Sequence, residues 1–433
     1  MTKLSTHDRL DAALARIDDA AGEGARVCLT VYRDQARVAA EAADARARVG
    51  ISLGPLDGKI VSIKDLFDVA GEVTRAGSKV LADEGMPAEH DAPIVQRLRA
   101  AGAVIVAKTN MSEFAFTGIG VNPHFGTPGN PADRARAPGG SSSGAAVSVA
   151  DNMCDIAIGT DTGGSARIPA ALCGITGFKP SRQRVPTAGA FPLSGSLDSI
   201  GPMARDVADC ALADAIMAGE APWMVDPAPL AGLRIGVAQG IPLENLDDTV
   251  GRRFPSALDR LEKAGARLSH EVLPLIGDMM RILARTSILV AEAYAIHRDR
   301  LARRAADIDP VIVRRTEKGR DISSVDYIDT VQARGALIRA FDQRLADLDV
   351  LAMPTTPIVA PRLDEVAEPK SFMARNAMLL RNTTVVNFFD CCAVSLALPR
   401  EGGLPTGLML IARNGQDRWL LRIAAAVEAL FKA

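Results

Sequence analysis

One block, from Gly139 to Pro169, limits what this chain can fold into more than any other; it reads GGSSSGAAVSVADNMCDIAIGTDTGGSARIP. It places two serines, Ser141 and Ser165, in glycine-rich runs on either side of a short apolar stretch. Residues 154–158 have the length and composition of a buried strand, and the glycines that follow predict a tight turn. A helix can begin over 166–172 because its proline falls in the first turn. The block therefore predicts a strand, a glycine turn and a helix, with a serine held at the turn.

The glycine turn also predicts a cluster of backbone donors. Gly163 and Gly164 tolerate positive φ and allow a ligand to approach the main chain closely. The amide groups of Thr162, Gly163, Gly164 and Ser165 would then converge on one point. Donors arranged in this way stabilise a developing oxyanion, so the sequence predicts an oxyanion hole over 162–165.

A serine nucleophile needs a base within hydrogen-bond reach. None of the five histidines lies in a glycine-rich or strand-end motif; they are His7, His90, His124, His270 and His297. A neutral lysine can replace histidine if burial lowers its pKa. In the apolar segment 59–67, alternation places Lys64 on the same strand face as Ile60 and Ser62. Lys64 is therefore predicted to be a buried base.

These residues together resemble a known family. Lys64 in its apolar strand, GGSSSG at 139–144 and GTDTGGSARIP at 159–169 are similar to the amidase signature family. Further similar segments lie at 54–71, 104–116, 177–186, 197–211, 349–357 and 403–412. The resemblance implies amide hydrolysis with Ser165 as nucleophile, Ser141 as bridging serine and Lys64 as base. It also implies a cis peptide bond between Gly140 and Ser141.

Several neighbours are expected to support this site: Gly140, Ser142, Ser143, Asp161 and Arg167. Ser142 and Ser143 are interpreted as hydrogen-bond donors around the reacting groups, since the G-x-S-x-G pattern there lacks a histidine partner. Asp161 is expected to hold the loop through backbone amides. For Arg167, a structural role is favoured, and binding of a substrate carboxylate is the alternative.

One residue departs from the family pattern. The position after the nucleophile usually carries a larger aliphatic side chain and is Ala166 here. Compensated core packing and extra room beside the acyl pocket both remain open as explanations.

Composition narrows the function classes. With 48% hydrophobic and 4% aromatic residues, the chain can bury a large aliphatic core. Because 50 basic residues balance 52 acidic ones, nothing indicates direct binding of nucleic acid or of an anionic membrane. The absence of a signal or membrane-spanning pattern predicts a cytoplasmic protein. The six scattered cysteines show no metal-site spacing, and no phosphate-binding motif is complete, so neither a metal nor a cofactor is expected.

The fold class predicted is α/β: a single large amidase domain over 1–433, with a central mixed, largely parallel twisted sheet covered by helices on both faces. Residues 1–50 are expected to form an N-terminal segment of two helices packed on this domain. Residues 246–345 are expected to form a helical peripheral region that lines substrate access.

The predicted function is hydrolysis of a carboxylic amide to the acid and ammonia or an amine, through an acyl-enzyme. One alternative is the glutamine-hydrolysing A subunit of a tRNA-dependent amidotransferase, and another is a non-catalytic member that acts in binding or assembly. The expected partner is a small-molecule amide, and a homodimer is left open. The sequence does not identify the amide, because specificity depends on variable pocket residues.

Overall fold

The computed structural model describes residues 4–400 and 402–433. Residues 1–3 of the predicted N-terminal segment, and residue 401, lie outside the described residues. Within the described part, eleven strands form one sheet. They are β1 Cys28–Val31, β2 Ile60–Lys64, β3 Val104–Thr109, β4 Ile156–Thr160, β5 Thr176–Lys179, β6 Ile200–Ala204, β7 Arg234–Gln239, β8 Arg267–Val272, β9 Val350–Pro354, β10 Cys392–Ala397 and β11 Gly407–Ala412.

The sheet is mixed, as predicted, with the order β1-β3-β2-β4-β6-β5-β10-β11-β9-β7-β8. Parallel pairing is confined to two groups, β3-β2-β4 and β9-β7-β8. The other six pairs are antiparallel, one at the edge (β1-β3) and five in the middle of the sheet, so the sheet is mixed but not largely parallel. In the middle, β6, β5, β10 and β11 run antiparallel to their neighbours and join the two parallel groups.

Helices cover both faces of this sheet, as predicted. They are α1 Thr6–Asp18, α2 Gly24–Val27, α3 Arg33–Arg48, α4 Lys79–Glu84, α5 Pro93–Ala100, α6 Ser143–Ala150, α7 Arg167–Cys173, α8 Val207–Ala218, α9 Asp248–Lys263, α10 Pro274–Arg285, α11 Ile288–Arg304, α12 Pro310–Glu317, α13 Ser324–Arg344, α14 Pro369–Phe388 and α15 Asp417–Lys432. Among the described residues, none of these helices combines the length and apolar character needed to cross a membrane.

Strand alternation divides the core into two sides. On β2, Val61 and Ile63 pack with α5, α8 and α15, whereas Ile60 packs on the opposite face with α1, α3 and α6. Lys64 lies on the Ile60 face, because successive side chains of a strand point to opposite sides. A third cluster, with Phe388 and Met279, packs α10, α13 and α14 against the other end of the sheet.

Local signals explain why the elements near the serines form. In α7, Pro169 lies in the first turn, where its missing N–H leaves no helix hydrogen bond unmade. Gly174 ends this helix in the left-handed conformation, with φ of 76°. The chain from β4 through α7 therefore follows the predicted order of strand, turn and helix.

The N-terminal and middle regions contain strands that the sequence did not indicate. Between helices α1 and α3 the chain forms α2 and the edge strand β1, whereas a simple connection was expected near 22–32. The region 246–345 contains α9 to α13 and also β8, whose side chains are mostly exposed. An edge strand of this kind lacks the apolar alternation that identifies buried strands.

Candidate active site

The site lies where two parallel strands end side by side. Lys64 is the last residue of β2, and Thr160 is the last residue of β4. Because β2 and β4 pair in parallel, their carboxyl ends meet at the same edge of the sheet. The loops that follow these strands, and the loop before α6, therefore converge at one place.

Lys64 is fully buried and hydrogen-bonded to two hydroxyls. Its Nζ lies 2.8 Å from Ser141 Oγ and 2.7 Å from Thr160 Oγ1. Burial lowers the pKa of Lys64 to about 7, although the negative charges of Asp198 and Asp161 partly oppose this shift. Near neutral pH, a large fraction of Lys64 is therefore the free amine, which can accept a proton.

Ser141 lies in a loop that requires glycine at the preceding position, Gly140. The peptide bond between Gly140 and Ser141 is cis, as the resemblance implies. A Cβ at Gly140 would lie 2.6 Å from the backbone nitrogen of Gly120, so any larger residue would collide with the main chain. The loop is anchored by hydrogen bonds from Gly140 N to the Gly118 carbonyl, 2.8 Å, and from Ser112 N to the Ser141 carbonyl, 3.0 Å.

The turn that carries Ser165 presents unused donors. The backbone amides of residues 162–165 donate to no other group within the part of the chain that the structure describes. Gly164 has φ of +135°, and a Cβ there would lie 2.6 Å from Thr383 Cβ, so both conformation and space require glycine. These amides are thus available to a ligand at Ser165, whose side chain is almost fully buried.

A buried ion pair supports the turn formed by residues 162–165. Arg167 donates from Nη2 and Nε to the two carboxylate oxygens of Asp161 at 2.8 and 2.9 Å, and both side chains are fully buried. Asp161 also accepts from the amides of Ala166 and Arg167. Burial disfavours the Asp161 carboxylate, but the Arg167 charge and hydrogen bonds outweigh it and hold the pKa of Asp161 at about 2. The hydrogen bonds of Asp161 and Arg167 therefore hold the turn in place.

Helix α14, which the sequence did not indicate, completes the support. Thr383 Oγ1 donates to the Gly163 carbonyl at 2.6 Å, and Asn387 Nδ2 donates to the Asp161 carbonyl at 3.0 Å. Asn376 Oδ1 accepts from Gly118 N at 2.8 Å, beside the Ser141 loop. The helix carried a usable signal, since Glu368 caps its first turn and Pro369 follows as its first residue.

Asp198 is a second residue that sequence reasoning missed. Its carboxylate accepts from Thr162 Oγ1 at 2.6 Å and from the amides of Leu193 and Ser194 at 3.0 Å. Burial raises the pKa of Asp198. These bonds attach the 162–165 turn to the neighbouring 193–199 loop.

Ser142 and Ser143 make longer hydrogen bonds than Lys64 does. Ser142 Oγ donates to the Thr160 carbonyl at 3.3 Å, Ser142 N donates to the Ser165 carbonyl at 3.4 Å, and Ser143 Oγ donates to the Asn110 carbonyl at 3.5 Å. Among the described residues, Lys64 and Ser141 are directly hydrogen-bonded, but the hydroxyls of Ser141 and Ser165 are not. The Ser142–Ser165 backbone bond nevertheless places the two serine loops side by side.

Ala166 is explained by packing. It is fully buried and belongs to the core cluster that includes Ala170 and Met203. It does not line the cavity beside Ser165. The structure therefore favours compensated core packing over extra room in the pocket.

Two small cavities meet at the turn. The cavity beside Ser165 has a volume of about 20 Å³, and its wall includes Gly163, Phe116, Leu289 and Arg315. An adjoining cavity of about 70 Å³ contains Asp198 and shares wall residues with the first, namely Ala115, Thr162 and Leu193. Within the described residues, no histidine lines either cavity and no group of acidic, histidine or cysteine side chains could hold a metal ion.

Comparison with known proteins identifies the family of this chain. The model of the family described as Amidase matches residues 8–421. A Comamonas testosteroni protein named 2-amino-5-chloromuconic acid deaminase is 37% identical over 96% of this chain and 92% of its own length. The A subunit of the glutamyl-tRNA(Gln) amidotransferase from Anaeromyxobacter sp. (strain K) is 36% identical over 98% of this chain and 93% of its own.

A solved structure shows that the resemblance extends to the whole fold. A crystal structure of an amidase superimposes with a TM-score of 0.87 at 33% identity, covering 99% of this chain and 96% of the other. Family match, relatives and structure all span nearly the entire length. The chain therefore belongs to the amidase family and is a hydrolase that acts on amide carbon–nitrogen bonds.

Proposed function

We propose that this protein hydrolyses a small carboxylic amide through an acyl-enzyme on Ser165, with Lys64 and Ser141 as the proton relay. The observation that carries the proposal is the buried Lys64, with a pKa of about 7, held 2.8 Å from Ser141 Oγ. A lysine of this kind is a general base at neutral pH, where a surface lysine remains protonated.

In the acylation step, neutral Lys64 takes the proton of Ser141 as Ser141 takes the proton of Ser165. Ser165 Oγ then forms a bond to the amide carbon, and the carbonyl oxygen becomes an oxyanion. When the tetrahedral intermediate collapses, the carbon–nitrogen bond breaks and the proton held by Lys64 returns through Ser141 to the leaving nitrogen. The products of this half-reaction are ammonia or an amine and the Ser165 ester.

The oxyanion is held by backbone amides between Thr162 and Ser165. Their lack of any other acceptor in the described chain supports this role. A donor in such a hole is worth about 3–4 kcal/mol of transition-state stabilisation. Asp161, Arg167 and the hydroxyl of Thr383 act through the turn, since they fix the direction of these amides without touching the substrate.

Deacylation uses the same groups. Water gives a proton to the relay and attacks the ester carbon, and the proton then returns to Ser165 Oγ as the acid leaves. The hydroxyls of Ser165 and Ser141 are not hydrogen-bonded to each other, and we propose that the relay closes when substrate draws Ser165 Oγ toward Ser141. Catalytic hydrogen bonds commonly tighten in this way in the substrate complex.

The remaining sequence predictions are part of this proposal. Region 246–345 lines substrate access, which is supported by Leu289 and Arg315 in the wall of the Ser165 cavity. Residues 1–50 form a segment attached to the single domain, supported by the packing of α1 and α3 on the Ile60 face of the sheet. A cytoplasmic location and a homodimer stay predictions.

The test is release of ammonia from a panel of primary amides. Glutamine, malonamate, indole-3-acetamide, benzamide and short aliphatic amides cover the substrate classes, and 2-aminomuconate is added because the Comamonas relative is named a deaminase of a chlorinated aminomuconic acid. We expect turnover of at least one compound, abolished by Ser165→Ala. Turnover that survives Ser165→Ala would contradict the proposed nucleophile.

A second candidate is the glutamine-hydrolysing subunit of an amidotransferase, favoured by the 36% identity to the A subunit of a glutamyl-tRNA(Gln) amidotransferase. In that case glutaminase activity would depend on an added partner protein. Glutamine hydrolysis by the isolated chain at the rate of its best other amide would contradict this candidate. The non-catalytic alternative predicts no turnover and no covalent labelling of Ser165 by a fluorophosphonate.

A further inference from the structure

We infer that the Glu292 carboxylate positions the 162–165 turn by fixing the 193–199 loop beside it. This inference deepens the proposed function and rests on it, because it assigns a residue of the helical layer to the reaction at Ser165. Three observations support it: the set of donors that Glu292 binds, the absence of a cation beside it, and the short connection from the loop to the turn.

Glu292 connects the loop to two helices. It lies on α11, and its carboxylate accepts four hydrogen bonds. Three come from the loop, namely from the hydroxyl of Ser194, the hydroxyl of Ser196 and the amide of Ser196, the last at 3.0 Å. The fourth comes from the hydroxyl of Tyr327 on α13, at 2.6 Å. The carboxylate therefore attaches the start of the loop to the layer outside the sheet.

All of these donors are neutral. No lysine, arginine or histidine of residues 4–400 or 402–433 makes an ion pair with Glu292. Burial disfavours its carboxylate, but the hydrogen bonds from Ser194, Ser196 and Tyr327 outweigh this and lower the pKa of Glu292. Replacing Glu292 by an apolar residue would therefore free the loop donors without leaving a cation unpaired.

Ser194 passes the constraint from Glu292 to Asp198. Its hydroxyl donates to Glu292, and its amide donates to one carboxylate oxygen of Asp198 at 3.0 Å. The other oxygen of Asp198 accepts from Thr162 Oγ1 at 2.6 Å. Two residues, Ser194 and Asp198, thus connect Glu292 to the first residue of the 162–165 turn.

The far end of the loop is held separately. Ser199 Oγ donates to the Asp161 carbonyl at 2.7 Å, and the Asp161 amide donates to the Ser199 carbonyl at 2.8 Å. Within the described chain, segment 193–196 receives side-chain hydrogen bonds from outside the loop only at Glu292 and at Arg182, which donates to the Gly195 carbonyl at 3.0 Å. Glu292 is therefore the main anchor at this end.

Glu292 acts through its neighbours, because it lines neither of the two cavities at the turn. Loop residues such as Leu193 and Asp198 line the adjoining cavity, and Leu289, one helical turn before Glu292, lines the Ser165 cavity. A bound substrate would thus lie against both segments that Glu292 joins. A displacement of about 1 Å at such a site can cost about 100-fold in rate.

The experiment compares an apolar and an isosteric replacement of Glu292. In Glu292→Gln the amide oxygen can accept from Ser196 N and Ser194 Oγ, while the amide nitrogen donates to the other two hydroxyls. We expect Glu292→Leu to lower kcat for the best amide of the panel by about 100-fold, with a smaller change in KM. Glu292→Gln should stay within about threefold of wild type. Equal losses in the two variants, or a loss confined to KM, would overturn the inference.

Asp299 supplies the matched control on the same helix. Its side chain is 87% exposed, so Asp299→Leu makes the same chemical change on the solvent side of α11 and should keep kcat. Where Glu292→Leu does not fold, Ser194→Ala/Ser196→Ala removes the two hydroxyl donors instead and should also lower kcat. A loss in Asp299→Leu equal to that in Glu292→Leu, or full kcat in the double serine variant, would contradict the role of Glu292.

A double-mutant cycle tests the route through Thr162. Thr162→Val removes the hydroxyl that bonds Asp198 and keeps the backbone of the turn. If Glu292 acts through this bond, Glu292→Leu should lower kcat by less than about threefold further in the Thr162→Val background. Losses that multiply to within about twofold would overturn the route, since independent sites behave in that way.

Hydrogen exchange separates this inference from the proposed function, because it needs no turnover. We expect Glu292→Leu to speed exchange in peptides covering 190–200 and 160–170, and we expect Glu292→Gln and Asp299→Leu to leave both unchanged. No change over 160–170 in Glu292→Leu overturns the inference even where wild-type protein hydrolyses an amide. Faster exchange there, without wild-type turnover of any amide, supports the role of Glu292 and contradicts the hydrolase proposal.

Discussion

A buried arginine at the edge of the sheet has internal hydrogen-bond acceptors, whereas a buried arginine in the helical layer above the sheet has none for its Nε. At the sheet edge, Arg167 is held between Asp161 and α14 by Nε and Nη2, and its Nη1 contacts only Met409 Sδ. In the helical layer, Arg315 is backed by the Phe116 ring, and its buried Nε has no acceptor within the described chain. The role of a buried arginine near Ser165 can therefore be inferred only after its internal partners have been counted.

The hydrogen bonding of Lys64 is intermediate between that of Arg167 and that of Arg315. Lys64 has hydrogen-bond partners, Ser141 and Thr160, but both are neutral hydroxyls. Burial therefore lowers its pKa to about 7, whereas the bidentate pairing of Asp161 with Arg167 holds the pKa of Asp161 at about 2. The sheet edge thus contains an ion pair whose charges are held in place and an amine that is readily neutralised.

The largest expected effect comes from removing this amine. Lys64→Met should lower kcat by about 10⁴-fold, because the variant lacks the amine that we propose as the base and that is hydrogen-bonded to Ser141. The melting temperature should not fall, since a buried amine is replaced by an apolar side chain of similar length. Steady-state ammonia release and thermal unfolding of the same sample check both parts. Retention of more than a tenth of the activity would contradict a Lys64 base.

Breaking the fixed ion pair should cost stability as well as activity. Arg167→Met leaves the Asp161 carboxylate buried without its partner, and the free energy of unfolding should fall by about 3–5 kcal/mol. Arg315→Met is the matched substitution in the helical layer and should change it by no more than about 1 kcal/mol. Urea unfolding of both variants measures the contrast. Equal losses would mean that Arg315 has a structural role too.

The pH dependence of the reaction should report Lys64. The base is active only when neutral, so log kcat/KM should rise with a slope near 1 below the pKa of about 7 and level off above it. Activity at pH 6 should be about one tenth of the plateau. Measurement from pH 5 to 9 with a substrate that does not titrate in this range gives the profile. A flat profile in which chemistry limits the rate, or activity that falls with pH, would contradict the assignment.

The smallest effect concerns the second hydroxyl at Lys64. Thr160→Val keeps the shape of the side chain and removes an acceptor that favours the charged amine. The kinetic midpoint should move to lower pH by up to about 1 unit, while the plateau rate stays within a few fold. The same pH series on this variant tests it, and a midpoint that moves upward would show that Thr160 does not act through Lys64.

Sequence reasoning worked where a signal is local. The strand before Ser165, the glycine turn and the helix with Pro169 in its first turn lie within one continuous block, and the structure has them in that order. The buried position of Lys64 followed from the apolar character of β2. Each of these depends only on neighbouring residues.

The antiparallel middle of the sheet could not be predicted in this way. Strands β5 and β6 contain Gly177, Gly201 and Pro202, residues that are unfavourable in most strands. At Gly201 the reason is a close approach, because a Cβ there would collide with the carbonyl of Phe178. The sheet context overrides the local preference, and that context is absent from a short window of sequence.

The supporting residues of the site were missed for a related reason. Thr383 and Asn387 approach the turn from a helix more than 200 positions away along the chain, and Arg315 reaches the cavity from another. Nothing in their own segments distinguishes them from ordinary helix residues. The folded chain is needed to show that Arg167 faces a carboxylate and Arg315 a cavity.

A Ser165 nucleophile activated by a buried lysine is tested most sharply by mapping where a serine-directed fluorophosphonate modifies the protein, using mass spectrometry of the intact chain and of its peptides. We expect one adduct, on Ser165, that is absent from Ser165→Ala and forms much more slowly in Lys64→Met. An adduct on another residue, or labelling of equal rate in Lys64→Met, would contradict both the nucleophile and its activation.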